Sequence, residues 1–390
     1  MDSPNALLDD PRGLAPAPTR RLYRDVLLPR TILPLAWIAA VGLAPAFLTG
    51  RTARRRNSKR SPTVVIESGR VGWTQVFFEE LEGSAVDYFG KQAVHRAVID
   101  RDKPYWPQFR EWVDRLAPTH VVLDVRTPPQ SWMGSLIEAF RVSWLVHRRG
   151  IYPIVIMTDA FYRRQRWHAA VLSAWQGTVV TFAARKIVRP LFPHSRVRGA
   201  LIMPISQGRI EQLAAKRTAD NARTGAQCEI AFVGNIYPPR STFLEALAEE
   251  LDMQGLKLTV HGDKGNRSNE EYWRVLADAD IIVTTTMQGP DRNYIDWNWI
   301  RQAVHRYSET FAAGTAVVGA PVDGGFPPFV PGKDYLEFGS VRDAARAIRQ
   351  LADDPGERSR IAGSGGQTYR QEIDSGSFWR IALGLDSYSP

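Results

Sequence analysis

A chain of 390 residues is long enough for two domains with separate cores, and 44% apolar with 23% charged residues excludes wholesale disorder. The single cysteine, Cys228, excludes an intramolecular disulfide and a cysteine-built zinc site, and fits a reducing compartment. The net charge of +9 is concentrated at one end: residues 1–60 hold eleven Lys/Arg against four acids, leaving the remainder nearly neutral.

Residues 1–60 form a basic N-terminal tail around an apolar block. Residues 1–19 are rich in Pro and Ala without periodicity. Thr31–Leu48 is then eighteen residues without a charge, interrupted by Pro34 and Pro45 and flanked by arginines. That is the lower limit for crossing a bilayer core, which needs roughly 20 residues. Three readings stand: a short or re-entrant anchor, an interfacial helix, or a helix buried against the first domain. Basic clusters on both sides of an apolar block point to an anionic membrane surface contacted through residues 20–60, at the cytoplasmic face. Nucleic acid is not the expected partner, because aromatic or polar readers are not interleaved with the arginines.

From residue 61 to 205 short apolar runs alternate with helical stretches. Strands are expected at Thr63–Gly69, Val121–Asp124, Ile154–Met157, Thr178–Phe182 and Ala200–Met203. Helices are expected at Thr74–Leu81, Tyr105–Leu116, Ser135–Arg148 and Arg163–Trp175. This rhythm predicts parallel βαβ units with ligands at the carboxyl ends of the strands. Glu67, Ser68, Gly69, Asp124, Thr158 and Asp159 fall on that rim, with His168 about two turns into the following helix.

Residues 206–227 are polar, with a weak helix inside, and read as a linker to a second α/β domain over 228–390. Cys228 opens its first strand and reads as packing. Gly234-Asn235 ends that strand, and Arg240 lies near the start of the next helix. A glycine there lets backbone N–H groups approach a phosphate, to which the helix N-terminus and Arg240 add positive charge. His261-Gly262 and Thr284–Thr286 end the next two strands. Asp278-Ala-Asp280 has the spacing of a metal-chelating pair, but between a helix and an apolar strand it reads as cap and turn. Met287–Asn298 is rich in Trp, Tyr and Asp, residues that either stack on and hydrogen-bond a sugar or anchor the loop in the core. A helix over Trp299–Ala313 then carries Arg306 and Glu309, three apart and on one face. Arg forks onto phosphate oxygens and Glu accepts from a ribose diol; the alternative is a surface ion pair. Gly314 stops this helix before a strand over Ala316–Val318.

The run Arg306-Tyr-Ser-Glu309 followed by Ala313-Gly-Thr-Ala-Val-Val318 resembles the donor-binding helix of GT-B glycosyltransferases of group 1. An Arg three residues before the Glu, with Met157-Thr-Asp-Ala-Phe161, is most similar to the spore-maturation-type (CgeB-like) branch. The resemblance covers roughly residue 63 to the C-terminus. It implies an α/β GT-B architecture, two doubly wound Rossmann-like domains facing across a cleft, with a tail (370–390) crossing back to the first. It implies donor binding by Gly234, Asn235, Arg240, His261, Gly262, Thr285, Arg306, Tyr307 and Glu309. Sugar or acceptor contacts are expected from Gly69, Tyr294, Asp296 and Trp297. A general base is expected from Asp159, with Asp124 and His168 as the other candidates. Many retaining relatives carry a second Glu eight residues before the ribose Glu; here Arg301 stands there.

The expected activity is sugar transfer from a nucleotide-sugar donor to a glycan or lipid-linked acceptor, without metal or other cofactor. A nucleotide-sugar epimerase and a catalytically silent GT-B scaffold that binds glycan or protein are the alternatives.

Overall fold

The protein's structure, a computed structural model, describes residues 33–68, 73–100, 103–125, 132–158, 163–182, 196–198, 203–220, 228–236, 240–262, 269–285, 303–322, 326–373 and 375–385. These fall into two compact units, one within 18–201 and 375–389, the other within 202–374. Both are α/β with a fully parallel sheet.

The N-terminal unit carries six strands in the order β2-β1-β3-β4-β5-β6. They are β1 Val64–Ser68, β2 Val94–Val98, β3 His120–Asp124, β4 Tyr152–Met157, β5 Thr178–Thr181 and β6 Arg196–Arg198. The interior strands are near-continuous apolar runs, as burial on both faces of a parallel sheet requires. Strand β2 (Val-His-Arg-Ala-Val) lies at the sheet edge and keeps a half-exposed, mixed composition, which hides it from a reading based on apolar runs. Strand β6 lies a few residues before the strand expected over Ala200–Met203, of which residues 200–202 lie outside the described residues. The helices are α1 Leu33–Asn57, α2 Trp73–Phe89, α3 Tyr105–Leu116, α4 Trp132–Arg149 and α5 Arg163–Leu172, joined from the chain end by α12 Ser375–Ala382. Trp379 on α12 is fully buried in this unit, its indole N–H donating to Ser84 Oγ (3.2 Å) and its ring meeting Phe89 edge-on.

Helix α1 covers the apolar block. It is 25 residues long, but its last two turns hold Arg51, Arg54, Arg55 and Arg56. No helix among the described residues is long and apolar enough to cross a membrane. Instead, one side of α1 lies against its own unit. Phe47 stacks on Trp175 (5.0 Å), the Trp175 indole N–H donates to Ala40 O, and Asn57 Nδ2 donates to Arg149 O (3.2 Å).

The C-terminal unit repeats the topology with five strands, β8-β7-β9-β10-β11. These are β7 Ile230–Gly234, β8 Leu258–Gly262, β9 Ile281–Thr284, β10 Ala316–Gly319 and β11 Leu336–Glu337. Its helices are α6 Gln207–Asp220, α7 Arg240–Asp252, α8 Asn269–Asp278, α9 His305–Ala313, α10 Val341–Asp353 and α11 Pro355–Glu372. The stretch expected as a linker is therefore largely helix. Ile210 and Leu213, three apart and buried, seat α6 despite its polar composition. Helix α10 shows how local sequence sets an element: Ser340 caps it by accepting from Asp343 N (3.1 Å), and Val341, Ala344, Ala345, Ile348 and Leu351 form its buried stripe. Cys228 is half-buried beside the core, its thiol pushed up to about 11 by burial, so it packs rather than reacts.

Candidate functional site

In both sheets the strand order reverses beside the first strand of the unit, between β1 and β3 and between β7 and β9. Crevices at such switch points, at the carboxyl ends of the strands, are where open α/β sheets take ligands.

In the C-terminal unit this end is formed by Gly234 closing β7 and Asn235 after it, His261 and Gly262 on β8, and Thr284 closing β9 with Thr285 after it. Val233 and Gly234 are in register with His261 and Gly262, so the two strand ends lie side by side. Thr284 and Thr285 are buried. Gly234 has φ of +129°, a conformation that L side chains rarely adopt, and a Cβ there would fall 3.0 Å from Arg306 Cζ. The Arg306 guanidinium therefore lies directly on the glycine backbone.

Arg306 stands in the first turn of α9, which contains no acidic residue. A cation there opposes the positive end of the helix dipole, an arrangement favourable only when an anion joins both. Its Cζ sits 4.7 Å from the centroid of Phe232, a buried ring on β7, and its Nε and Nη1 are buried with no hydrogen-bond partner among the described residues. Arg240, the first residue of α7, approaches the same ring at 5.6 Å and donates from Nη1 to Asn235 O (2.9 Å), bracing the turn after β7.

Glu309, one turn beyond Arg306, is 5% exposed and accepts a short hydrogen bond from the Tyr272 hydroxyl. Tyr272, on α8, also hydrogen-bonds Arg306, so the phenol links the two side chains of the sequence motif. Burial first, then the Glu309 charge, raises its pKa well above the ordinary phenol value, keeping it a donor. Neither Tyr272 nor Phe232 stands out in the sequence, since each reads only as part of a helix or a buried strand.

Tyr307 requires a correction. It is fully buried, its hydroxyl donates to Ala320 O, and its ring packs on Phe326 (5.0 Å) and Tyr335 (5.9 Å). One helical step of 100° turns it from the face shared by Arg306 and Glu309 toward β10, so it is core and not a donor contact.

Asp278 and Asp280 have structural partners. Asp280 accepts from Glu229 N (2.9 Å) and lies 3.6 Å from Arg358, while Asp278 pairs with Lys216 at 2.5 Å.

In the N-terminal unit Glu67 is the last residue but one of β1 and Asp124 ends β3, both buried at the switch point. The Tyr105 hydroxyl donates to Glu67 Oε2 (3.3 Å), and burial together with Glu67, Glu138 and Asp124 raises the phenol's pKa. His168 is 2% exposed, with Nδ1 2.9 Å from Val125 O. This makes it a core histidine bracing the turn after β3 rather than a rim base. Asp159, the expected base, lies outside the described residues, as do Gly69, Thr286, Tyr294, Asp296, Trp297 and Arg301.

Residues 240–379 match a family model described as glycosyl transferase-like. The sequence matches no curated protein. Among solved structures, the chain is similar to the Anabaena protein Alr3699/HepE in complex with UDP, with a TM-score of 0.51 at 14% identity over 83% of this chain and 99% of that one. The sucrose-phosphate synthase of Thermosynechococcus elongatus gives 0.51 at 12% identity, over 83% and 97%. A glycosyltransferase from Rickettsia africae gives 0.52 at 9%, over 84% and 98%. The fold is that of the GT-B transferases. With the matched glycosyl transferase-like domain it supports a glycosyltransferase enzyme.

Proposed function

We propose that the protein transfers a sugar from a nucleoside-diphosphate donor, held at the β7/β9 switch point, to a membrane-linked or cell-surface glycan precursor. The observation that carries this reading is the Arg306 guanidinium, seated on Gly234 in the first turn of α9, with Nε and Nη1 buried and unpartnered among the described residues. Buried N–H groups left without acceptors cost about 1–3 kcal/mol each, more when charged, and diphosphate oxygens relieve that cost.

Arg306 and Arg240 bind the diphosphate, and Glu309 accepts from the ribose hydroxyls. As the bond from the anomeric carbon to the diphosphate breaks, negative charge grows on the leaving oxygen, and the guanidinium and backbone N–H groups stabilise it. The acceptor oxygen forms the new bond to the anomeric carbon, and its proton passes to a carboxylate of the N-terminal unit, Asp159 or Asp124. His261, Gly262 and Thr285 contact base, ribose or diphosphate; Gly69, Tyr294, Asp296 and Trp297 contact sugar or acceptor. No metal enters the scheme. The Arg306–Glu309 spacing favours the spore-maturation-type branch, and the basic apolar N-terminus favours work at the cytoplasmic face of a membrane. UDP in the Anabaena neighbour is a ligand of the class proposed here.

Calorimetry with a panel of nucleoside diphosphates and their sugars tests the donor site, with Arg306→Ala expected to abolish binding. Wild-type protein that binds none of the panel would refute it. Binding without turnover would point to the silent scaffold, and interconversion of the free nucleotide sugar to an epimerase.

A further inference from the structure

The outward face of α1 is unusually apolar for a docked helix. Trp37 is 62% exposed, Ile38 54%, Val41 53% and Leu48 64%. Trp37, Val41 and Leu48 follow one another at helical spacing on a single stripe, which Arg55 continues toward the C-terminal end. The stripe does not end at the helix. A groove of about 520 Å³ on one side is lined by Trp106, Phe140 and Trp144, and one of about 330 Å³ on the other by Trp37, Val41 and Trp175. Ile137 and Trp144 on α4, and Trp175 after α5, extend the exposed apolar surface.

The charges on α1 have one sign. Helix α1 contains no Asp or Glu, and Arg51, Arg55 and Arg56 are exposed and make no ion pair among the described residues. Arg148 lies over the face of Trp144 at 4.8 Å. On the neighbouring helices Glu138 pairs with Arg141 (3.0 Å) and Asp114 with Arg149 (2.6 Å). Exposed tryptophans among uncompensated arginines match an interface with apolar depth and anionic heads.

We infer that α1, with the flanking Trp144 and Trp175, is a bilayer-docking face that lies in the plane of an anionic membrane, apolar stripe inward and arginines at the phosphates. Helix α1 does not span, because its inner side is committed to its own unit through Phe47, Trp175 and Asn57. A second copy of the chain is a poorer occupant. Parallel self-contact would set Arg51, Arg55 and Arg56 against themselves, and antiparallel contact would bury them on Trp37 and Val41 with no counter-charge. The inference rests on the membrane-linked acceptor proposed above and names the surface that would reach it, but its test does not depend on sugar transfer.

The test is flotation of the full chain with phosphatidylglycerol-containing vesicles against pure phosphatidylcholine, at low and high salt. Wild type should float with the anionic vesicles and be released by salt. Arg51→Glu/Arg55→Glu/Arg56→Glu should weaken binding roughly a hundredfold. Trp37→Ser/Val41→Ser/Leu48→Ser should weaken it about tenfold or more even at low salt. Unchanged flotation of either triple variant would overturn the inference, as would wild-type indifference to the anionic lipid. A concentration-dependent dimer dissolved by the serine variant would assign the face to a second copy instead. Melting temperature and nucleoside-diphosphate affinity serve as controls, since none of the six positions lies in the donor site. Vesicle binding without nucleotide binding would leave this inference standing while the donor site fell.

Discussion

Gly234→Ala tests the donor site at its tightest point. The methyl group meets two costs. The backbone at φ of +129° is strained for any L-residue, worth about 1–3 kcal/mol. The new Cβ would also lie 3.0 Å from Arg306 Cζ and 3.7 Å from Nε, nearer still to Nη2, so the guanidinium must leave the glycine. Leaving forfeits the Phe232 face at 4.7 Å, worth about 0.5–2 kcal/mol, along with the bond to Tyr272. If that guanidinium grips the diphosphate, losing a charge-assisted contact of about 1.5–3 kcal/mol weakens nucleoside-diphosphate affinity roughly 10- to 150-fold. Calorimetry measures the affinity and a melting curve the stability. Gly363→Ala, in α11 and outside the donor site, is the internal control. An added Cβ there meets nothing within 4 Å. Unchanged nucleoside-diphosphate affinity in folded Gly234→Ala would refute the placement of phosphate at Arg306, whatever happened to stability.

Three further outcomes are expected. Glu309→Gln keeps the shape and removes the charge, so nucleoside-diphosphate affinity should fall roughly tenfold or more while inorganic pyrophosphate binding holds; equal loss for both would remove the ribose role. Tyr272→Phe deletes one partly buried hydroxyl from a carboxylate and should lower stability by about 1.5–3 kcal/mol, read as a fall in melting temperature; an unshifted melt would show the phenol to be dispensable. His147 is fully buried, and burial, then Arg54, lowers its pKa from 6.5 to about 3. Between those values the unfolded chain binds a proton that the folded chain does not, so stability is lost as pH falls. The loss at pH 5 is about 2 kcal/mol. A His147→Leu variant with the same acid slope of melting temperature would contradict it.

The parts of the fold legible in sequence are those that one element specifies by itself. Arg306 and Glu309 share a face because the helical period puts them there, and Gly314, at φ of +68°, ends the helix by bonding back to Thr310 and Phe311 carbonyls. What depends on a second element stayed hidden. Tyr272 reaches Glu309 from 37 residues away, and no local pattern announces that meeting. Tyr307 illustrates the opposite error, since adjacency to a motif residue in sequence means a different face in a helix. The block over residues 31–48 is apolar whether it enters lipid or packs on protein. Only the Trp175 and Phe47 contacts show that one side does the latter. Edge strand β2 escaped, and helix α6 read only as a weak helix within a linker, because their burial is half-sided and their composition polar.

Two guanidiniums beside one phenyl ring bear on how the site holds its charge. Phe232 attracts Arg306 and Arg240 through the quadrupole of its ring, which takes no N–H donor from either. A carboxylate in that position would occupy the same forks that a diphosphate needs, and binding would first have to break those bonds. The nearby carboxylate, Glu309, is instead linked to the motif through the Tyr272 hydroxyl, which donates to it and also engages Arg306. The cations are thus fixed in place while the buried Nε and Nη1 of Arg306 stay open to an incoming anion. Such an arrangement has little to reorganise as charge develops on a leaving group, which is the condition under which electrostatic stabilisation lowers a barrier rather than merely tightening binding.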